Sequence, residues 1–126
     1  MPSAEIITIG TEILLGEIVD TNSAYLARKL RDLNVDLFRT STVGDNAERI
    51  AGIIRETLAR TEIIITTGGL GPTVDDPTRE AVARAIGVSV EFRAELWEQI
   101  VERMARFGRS AGENQKRQAY VPAGAI

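Results

Sequence analysis

Two short β-branched runs, each halted by glycine, constrain this chain more than any other feature. Glu5 to Ile9 (EIITI) runs into Gly10, and Glu62 to Thr67 (EIIITT) runs into Gly68 and Gly69. Nearly continuous apolar runs of this length read as buried strands of a parallel sheet. Between them, Val35 to Val43 (VDLFRTSTV) alternates apolar with polar residues and stops at Gly44, as a strand nearer an edge does. The intervening segments carry helical spacing. Leu26, Leu30 and Leu33 repeat at i, i+4, i+7 behind the N-cap types Thr21, Asn22 and Ser23. Ile50, Ile53, Ile54 and Leu58 do the same behind Asp45, which with Glu48 resembles a capping box. Ala81, Val82, Ala85 and Ile86 mark a third helix ending at Gly87. Leu96, Trp97, Ile100, Val101, Met104 and Phe107 mark a fourth, the most amphipathic, ending at Gly108.

The order β-α-β-α-β-α implies a parallel sheet with right-handed crossovers, an α/β fold. At 126 residues one domain is expected, and no repeat or linker divides it. The net charge of -3 argues against non-specific nucleic-acid binding. The basic stretch from Arg103 to Arg117 reads as a solvated helix face. There is no bilayer-spanning apolar run and no export signal, so no membrane is expected and a cytoplasmic protein is the default. The chain has neither cysteine nor histidine. A thiol nucleophile, a Ser-His-Asp triad and a Cys/His zinc site are therefore excluded, which leaves carboxylates, hydroxyls, cationic side chains, amides and oxygen-bound metals.

In a sheet of order 2-1-3, ligands bind in the crevice outside the carboxyl ends of the strands. Three loops reach that rim: Gly10 to Gly16 (GTEILLG), Val43 to Asn46 (VGDN) and Gly68 to Asp76 (GGLGPTVDD). Gly68, Gly69 and Gly71 lack a Cβ, so their amides can approach a phosphate closely, and the helix beginning near Pro77 adds its positive end. A turn that merely lets the chain leave the sheet is the plainer reading of the same glycines. The loop is no P-loop, since it lacks the Lys. It is no dinucleotide fingerprint either, because Val74 stands where the third glycine belongs. Gly10, Thr11, Thr67, Gly68, Gly69, Gly71, Pro72 and Thr73 are the candidate phosphate contacts.

Asp76, Asp45 and Glu12 are the candidate catalytic acids, with Asp76, Glu12 and Asp75 as candidate metal ligands. Plain alternatives stand beside them. Asp76 before Pro77 reads as an N-cap with proline at the first helical position, and Asp45 as a cap of the second helix. Ile13, Leu14, Leu15 and Ile18 read as packing residues, and Lys116 and Arg117 as an exposed helix face that could also reach a phosphate.

Taken together, GTEILLGEIVDTN, VGDN, TTGGLGPTVDDPTRE and NQKRQAYVPAGA resemble the N-terminal domain of the CinA family, over essentially the whole chain. That family shares its fold with the molybdopterin-binding proteins MogA, MoeA and gephyrin. The resemblance implies a three-layer α/β/α sandwich with a mostly parallel sheet. In the molybdopterin relatives the equivalent glycine loop holds the pterin phosphate, and acids at the positions of Asp45 and Asp76 are implicated in activity. For the CinA family it implies an ADP-ribose pyrophosphatase using a divalent metal (Mg, Mn or Co), with potassium as a further ion. The alternative is a non-catalytic module holding molybdopterin or another pterin, or a nucleotide phosphate. A homo-oligomer, dimer or trimer, is also expected, with the Trp97 to Phe107 stripe as core or as interface. Full-length relatives carry a C-terminal amidohydrolase domain, and the family's first domain continues past VPAGA into an N-x-x-G-T-A-P-G segment. Residues 1–126 therefore read as one domain shortened at its C-terminal end.

Overall fold

The computed structural model describes all residues from Met1 to Ile126. Strands β1 (Ser3–Ile9), β2 (Asp36–Val43) and β3 (Ile63–Thr67) form one parallel sheet in the order β2-β1-β3. This is the order that places the loops after β1 and β3 at a common crevice. The central strand is buried on both faces from Ala4 to Ile9. Its neighbours lie at the edges, which is why β2 alternates and why β3, expected to be buried, is only partly so, with Ile63 exposed.

Each face of β1 meets its own helical layer, because alternate side chains of a strand point to opposite faces. Ala4 and Ile6 pack against Leu30 of α2 (Thr21–Asp32). Ile7 and Ile9 pack against Ile50 and Ile54 of α3 (Ala47–Leu58) and Ala81 of α4 (Thr78–Ile86). The result is the three-layer α/β/α arrangement. A short helix, α1 (Thr11–Leu14), follows β1 directly and had no periodic signal. The remaining chain forms a small antiparallel ribbon of β4 (Val90–Phe92) and β5 (Tyr120–Pro122). Between those strands come α5 (Ala94–Arg106), α6 (Glu113–Lys116) and a 3-10 turn over Arg117–Ala119.

Several expectations are corrected here. The N-cap of α2 is Asp20, whose carboxylate accepts from the Ser23 amide at 3.0 Å, so Thr21, Asn22 and Ser23 lie inside the first turn. Asn46, not Asp45, caps α3, accepting from the Arg49 amide at 3.0 Å. Leu14, Leu15 and Ile18 do not pack in the core; all three are more than half exposed. The stripe on α5 contributes no buried residue, and Phe107 is exposed.

At the amino end of the sheet, the Glu5 carboxylate is buried and held bidentately by Arg60, at 2.7 and 2.9 Å. The Arg60 hydrogen bonds keep the Glu5 carboxyl below its ordinary range against the opposing effect of burial.

Candidate functional site

The loop after β3 is shaped by contacts with the protein itself. Gly68 and Gly69 adopt positive φ angles of 89° and 66°, which side-chain-bearing residues rarely tolerate. A Cβ on Gly68 would run into the carbonyl oxygen of Ile9, and one on Gly69 into the Thr78 hydroxyl. Close approach between the ends of β1 and β3 and the start of α4 thus already demands both glycines. No protein acceptor takes the amides of Gly68, Gly69 or Leu70. They remain available donors.

Gly71 and Thr73 behave differently. The Asp76 carboxylate accepts from the Thr73 amide at 3.0 Å and from the Thr73 hydroxyl at 2.8 Å. A Cβ on Gly71 would meet Asp76 Oδ2 at 2.5 Å, so the third glycine makes room for that carboxylate. The Thr73 hydroxyl, then the Thr73 and Gly71 amides and the Arg79 charge, hold the Asp76 carboxyl below its usual range, while partial burial opposes them. Asp76 is therefore ionised at neutral pH and tethered inside its own loop. Its expected role as N-cap of α4 is not realised. Pro77 occupies the cap position, one residue later than the sequence suggested, and makes no side-chain cap bond. The start of α4 is tied back instead, with the Thr78 amide donating to Gly69 O at 3.1 Å and the Thr78 hydroxyl to Gly68 O at 2.8 Å.

The loops after β1 and β2 are joined by a reciprocal pair. The Asp45 amide donates to Thr11 Oγ1 at 3.0 Å, and the Thr11 amide donates to the Asp45 carboxylate at 3.3 Å. Asp45 thus clamps the rim rather than capping a helix. Glu12 is exposed, and its carboxylate folds back over Gly10, where a Cβ would meet Glu12 Oε1 at 2.8 Å. Asp75 is exposed, and its amide donates to Thr73 Oγ1 at 3.3 Å. Pro72 lies partly buried between Gly71 and Thr73, and Thr67 closes β3 beside Thr8 of β1.

The fold therefore brings Gly10, Thr11 and Asp45 into one corner of the rim, and Gly68 to Asp76 into the other, joined through the close approach of Gly68 to Ile9. It does not gather Glu12, Asp75 and Asp76 into one acidic cluster, for no group of three acids stands close enough to form a ready-made metal cage. The donor set fits a different mode of binding. Hard divalent cations often take one or two carboxylates and complete their shell with substrate phosphate oxygens and water. Asp76, ionised and held in place by its loop, is a carboxylate of the kind that mode uses, and Asp75 is its exposed neighbour in sequence.

Two residues of this region escaped the sequence reading. Arg79 donates to Leu70 O at 2.8 Å and to Gly71 O at 2.9 Å, and Gln118 donates to Leu70 O at 3.2 Å. An arginine in the first turn of a helix carries no signal of a backbone contact nine residues earlier, and Gln118 carries none of its reach across the chain. Behind the loop, a cavity of about 230 Å³ is lined by Thr73, Asp76, Arg79, Arg117 and Tyr120 among others. Arg117 thus borders the loop, as the basic segment allowed, whereas the Lys116 ammonium lies over the Phe92 ring at 5.4 Å.

The chain is similar to known proteins in sequence and in fold. Residues 5–123 match the family described as "Probable molybdopterin binding domain". A CinA-like protein of Synechococcus sp. (strain CC9902) is 47% identical over 121 residues, 96% of this chain and 29% of that protein. One from Gemmatimonas aurantiaca is 47% identical over 121 residues, 95% of this chain and 28% of its own length. The chain thus spans less than a third of the curated relatives it matches. Among solved structures, the protein CinA of Thermoplasma acidophilum superposes with a TM-score of 0.89 at 28% identity, covering 98% of this chain and 73% of that one. The molybdopterin biosynthesis enzyme MoaB of Thermus thermophilus gives 0.62 at 26% identity, covering 65% of this chain and 53% of that one.

Proposed function

The chain belongs to the molybdopterin binding domain family and matches its CinA-like members across nearly its whole length, and from that premise we propose that it is a metal-dependent pyrophosphatase acting on ADP-ribose. The observation that carries this reading is the pairing of unspent amides at Gly68, Gly69 and Leu70 with an ionised Asp76 in the same loop. Amides aimed outward in a nest stabilise phosphate charge. Carboxylates beside them would be repelled by the same phosphate unless a cation stands between the two. Mg, Mn or Co, with potassium as a further ion, would be held by Asp75 and Asp76 together with substrate oxygens, and would neutralise phosphate charge when bound.

The reaction is addition of water across the diphosphate. The water oxygen bonds to one phosphorus, and the bridging oxygen leaves with the other phosphate. AMP and ribose 5-phosphate are released, and the two protons of the water pass to the two phosphate products and from them to solvent. Asp76 is a poor proton acceptor because its loop holds the carboxyl in the ionised form, so its part is electrostatic. In this reading Glu12 and Asp45, from the loops after β1 and β2, orient water or ribose hydroxyls. A cytoplasmic homo-oligomer, dimer or trimer, is part of the same reading, as is an amidohydrolase domain in a full-length protein. No helix is long and apolar enough to cross a membrane.

The test is a product assay on ADP-ribose with each divalent metal, on this chain and on one extended at its C-terminus. AMP release that requires metal, and a loss of turnover in Asp76→Asn of at least 100-fold with ADP-ribose binding reduced much less, is the expected result. Equal turnover in wild type and Asp76→Asn would remove Asp76 from the chemistry. A second reading, a module that only holds a pterin or nucleotide phosphate, is favoured by the engagement of Asp76 with Thr73, which gives that acid a structural task. Binding of AMP, ADP-ribose or molybdopterin that is indifferent to metal and yields no AMP from ADP-ribose would establish that module.

A further inference from the structure

The four carbonyls from Gly68 to Gly71 are all gripped by two adjacent residues of α4. Thr78 takes the first two, its hydroxyl donating to Gly68 O at 2.8 Å and its amide to Gly69 O at 3.1 Å. Arg79 takes the next two, Nη1 donating to Leu70 O at 2.8 Å and Nη2 to Gly71 O at 2.9 Å. Gln118 adds a second donor to Leu70 O. A trans peptide is planar, so a carbonyl and the following amide point in opposite directions, and no cis bond interrupts this chain. Holding Leu70 O toward the helix turns the Gly71 amide away from it, toward the side where the Asp76 carboxylate lies.

We infer that Arg79 is a positioning residue: Thr78 turns the Gly69 and Leu70 amides away from the helix, and the Arg79 guanidinium fork, by holding Leu70 O and Gly71 O, fixes the adjoining end of the loop so that those two amides keep the direction in which they face an anion. The inference rests on the proposed phosphate-binding role of this loop and deepens it. An arginine beside a phosphate loop is ordinarily expected to meet the phosphate itself. Here each terminal nitrogen donates to a main-chain oxygen, which couples Arg79 to the shape of the loop. The fork matters because two successive carbonyls present two separate acceptors, which a guanidinium spans and a single ammonium does not.

The experiment titrates AMP and ADP-ribose, with and without Mg²⁺, into wild type, Arg79→Lys and Arg79→Ala, each first checked for native circular dichroism. The expected result is a loss of affinity of at least tenfold in Arg79→Lys despite its retained charge. A comparable loss is expected in Arg79→Ala, with partial recovery on adding methylguanidinium, which a general loss of stability would not show. Should Arg79→Ala fail to fold, Arg79→Lys carries the test alone. Affinity in Arg79→Lys within twofold of wild type overturns the inference while leaving the loop as the phosphate site. Failure of wild type itself to bind either nucleotide removes the underlying reading, and this inference with it.

Discussion

The molecule before Gly87 and the molecule after it are held together by different forces. Every buried residue but Ala119 lies in the first part, where three strands and their helices enclose two apolar clusters. After Gly87 the chain relies on directional contacts at a partly exposed surface. The Phe92 and Tyr120 rings meet at 5.4 Å, Arg93 donates to Ala125 O at 2.8 Å, and the Arg93 amide donates to Ala119 O at 2.9 Å. Burial scales with area removed from water, whereas exposed polar contacts each return little net energy. Cooperative stability therefore resides in the first part, and the second follows it. The glycine loop lies in the first part but touches the second through Gln118.

That contrast can be broken most directly in the core. Ile50→Ala, at a fully buried position between β1 and α3, is expected to cost about 4 kcal/mol in urea unfolding. A cost near zero would mean that the β1 layers are not the cooperative unit. Next comes Arg60→Ala, which strands the buried Glu5 carboxylate. A clear loss of stability in urea unfolding is expected, smaller than that of Ile50→Ala and smaller than for a wholly buried pair because the Arg60 side chain is 36% exposed. Its pH dependence follows from the sign of the Glu5 shift. A carboxyl lowered by folding stabilises the protein above its unfolded pKa, and that stability is lost as pH falls through the folded value. Wild type is thus expected to lose stability below about pH 4.5, and Arg60→Ala to show a weaker acid slope, measured by midpoint against pH.

Smaller changes sharpen the comparison. Asn46→Ala removes the cap of α3 and is expected to cost about 1 kcal/mol, while Asp45→Ala leaves helix stability nearly unchanged and loosens the Thr11 contact. Equal costs would return the cap to Asp45. The smallest effect is expected from Phe92→Leu, below about 1 kcal/mol in global unfolding, with faster amide exchange confined to residues after Gly87. Exchange that quickens throughout would join the two parts into one unit.

What the residues disclosed in advance follows the same division. The strands, their order and the three helices packed on them were legible because burial imposes a period, and the period is written in Ile6, Ile7, Ile50 and Ile54. Caps were displaced at Asp20 and Asn46, since neighbouring Asp, Asn, Ser and Thr side chains compete for the same amides and only the fold decides between them, and at Pro77, because the Asp76 carboxylate is held by Thr73. The exposure of Leu14, Leu15 and Ile18 was not legible, because apolar character does not say what covers a residue. At the candidate site, the glycines were found, but the reason for each was not. Gly68 and Gly69 yield to Ile9 and Thr78, and Gly71 to Asp76, all contacts between residues that sequence spacing does not bring together.

The tether between Asp76 and Thr73 has a consequence for what the loop admits. A carboxylate attached three residues away competes for the Thr73 amide at an effective concentration that dissolved anions seldom reach. Free phosphate or sulfate, offering a single point of attachment, is outcompeted at that position. The Gly68 to Leu70 amides have no such resident competitor, so the loop closes one of its anion-accepting ends with an acid of its own and leaves the other open.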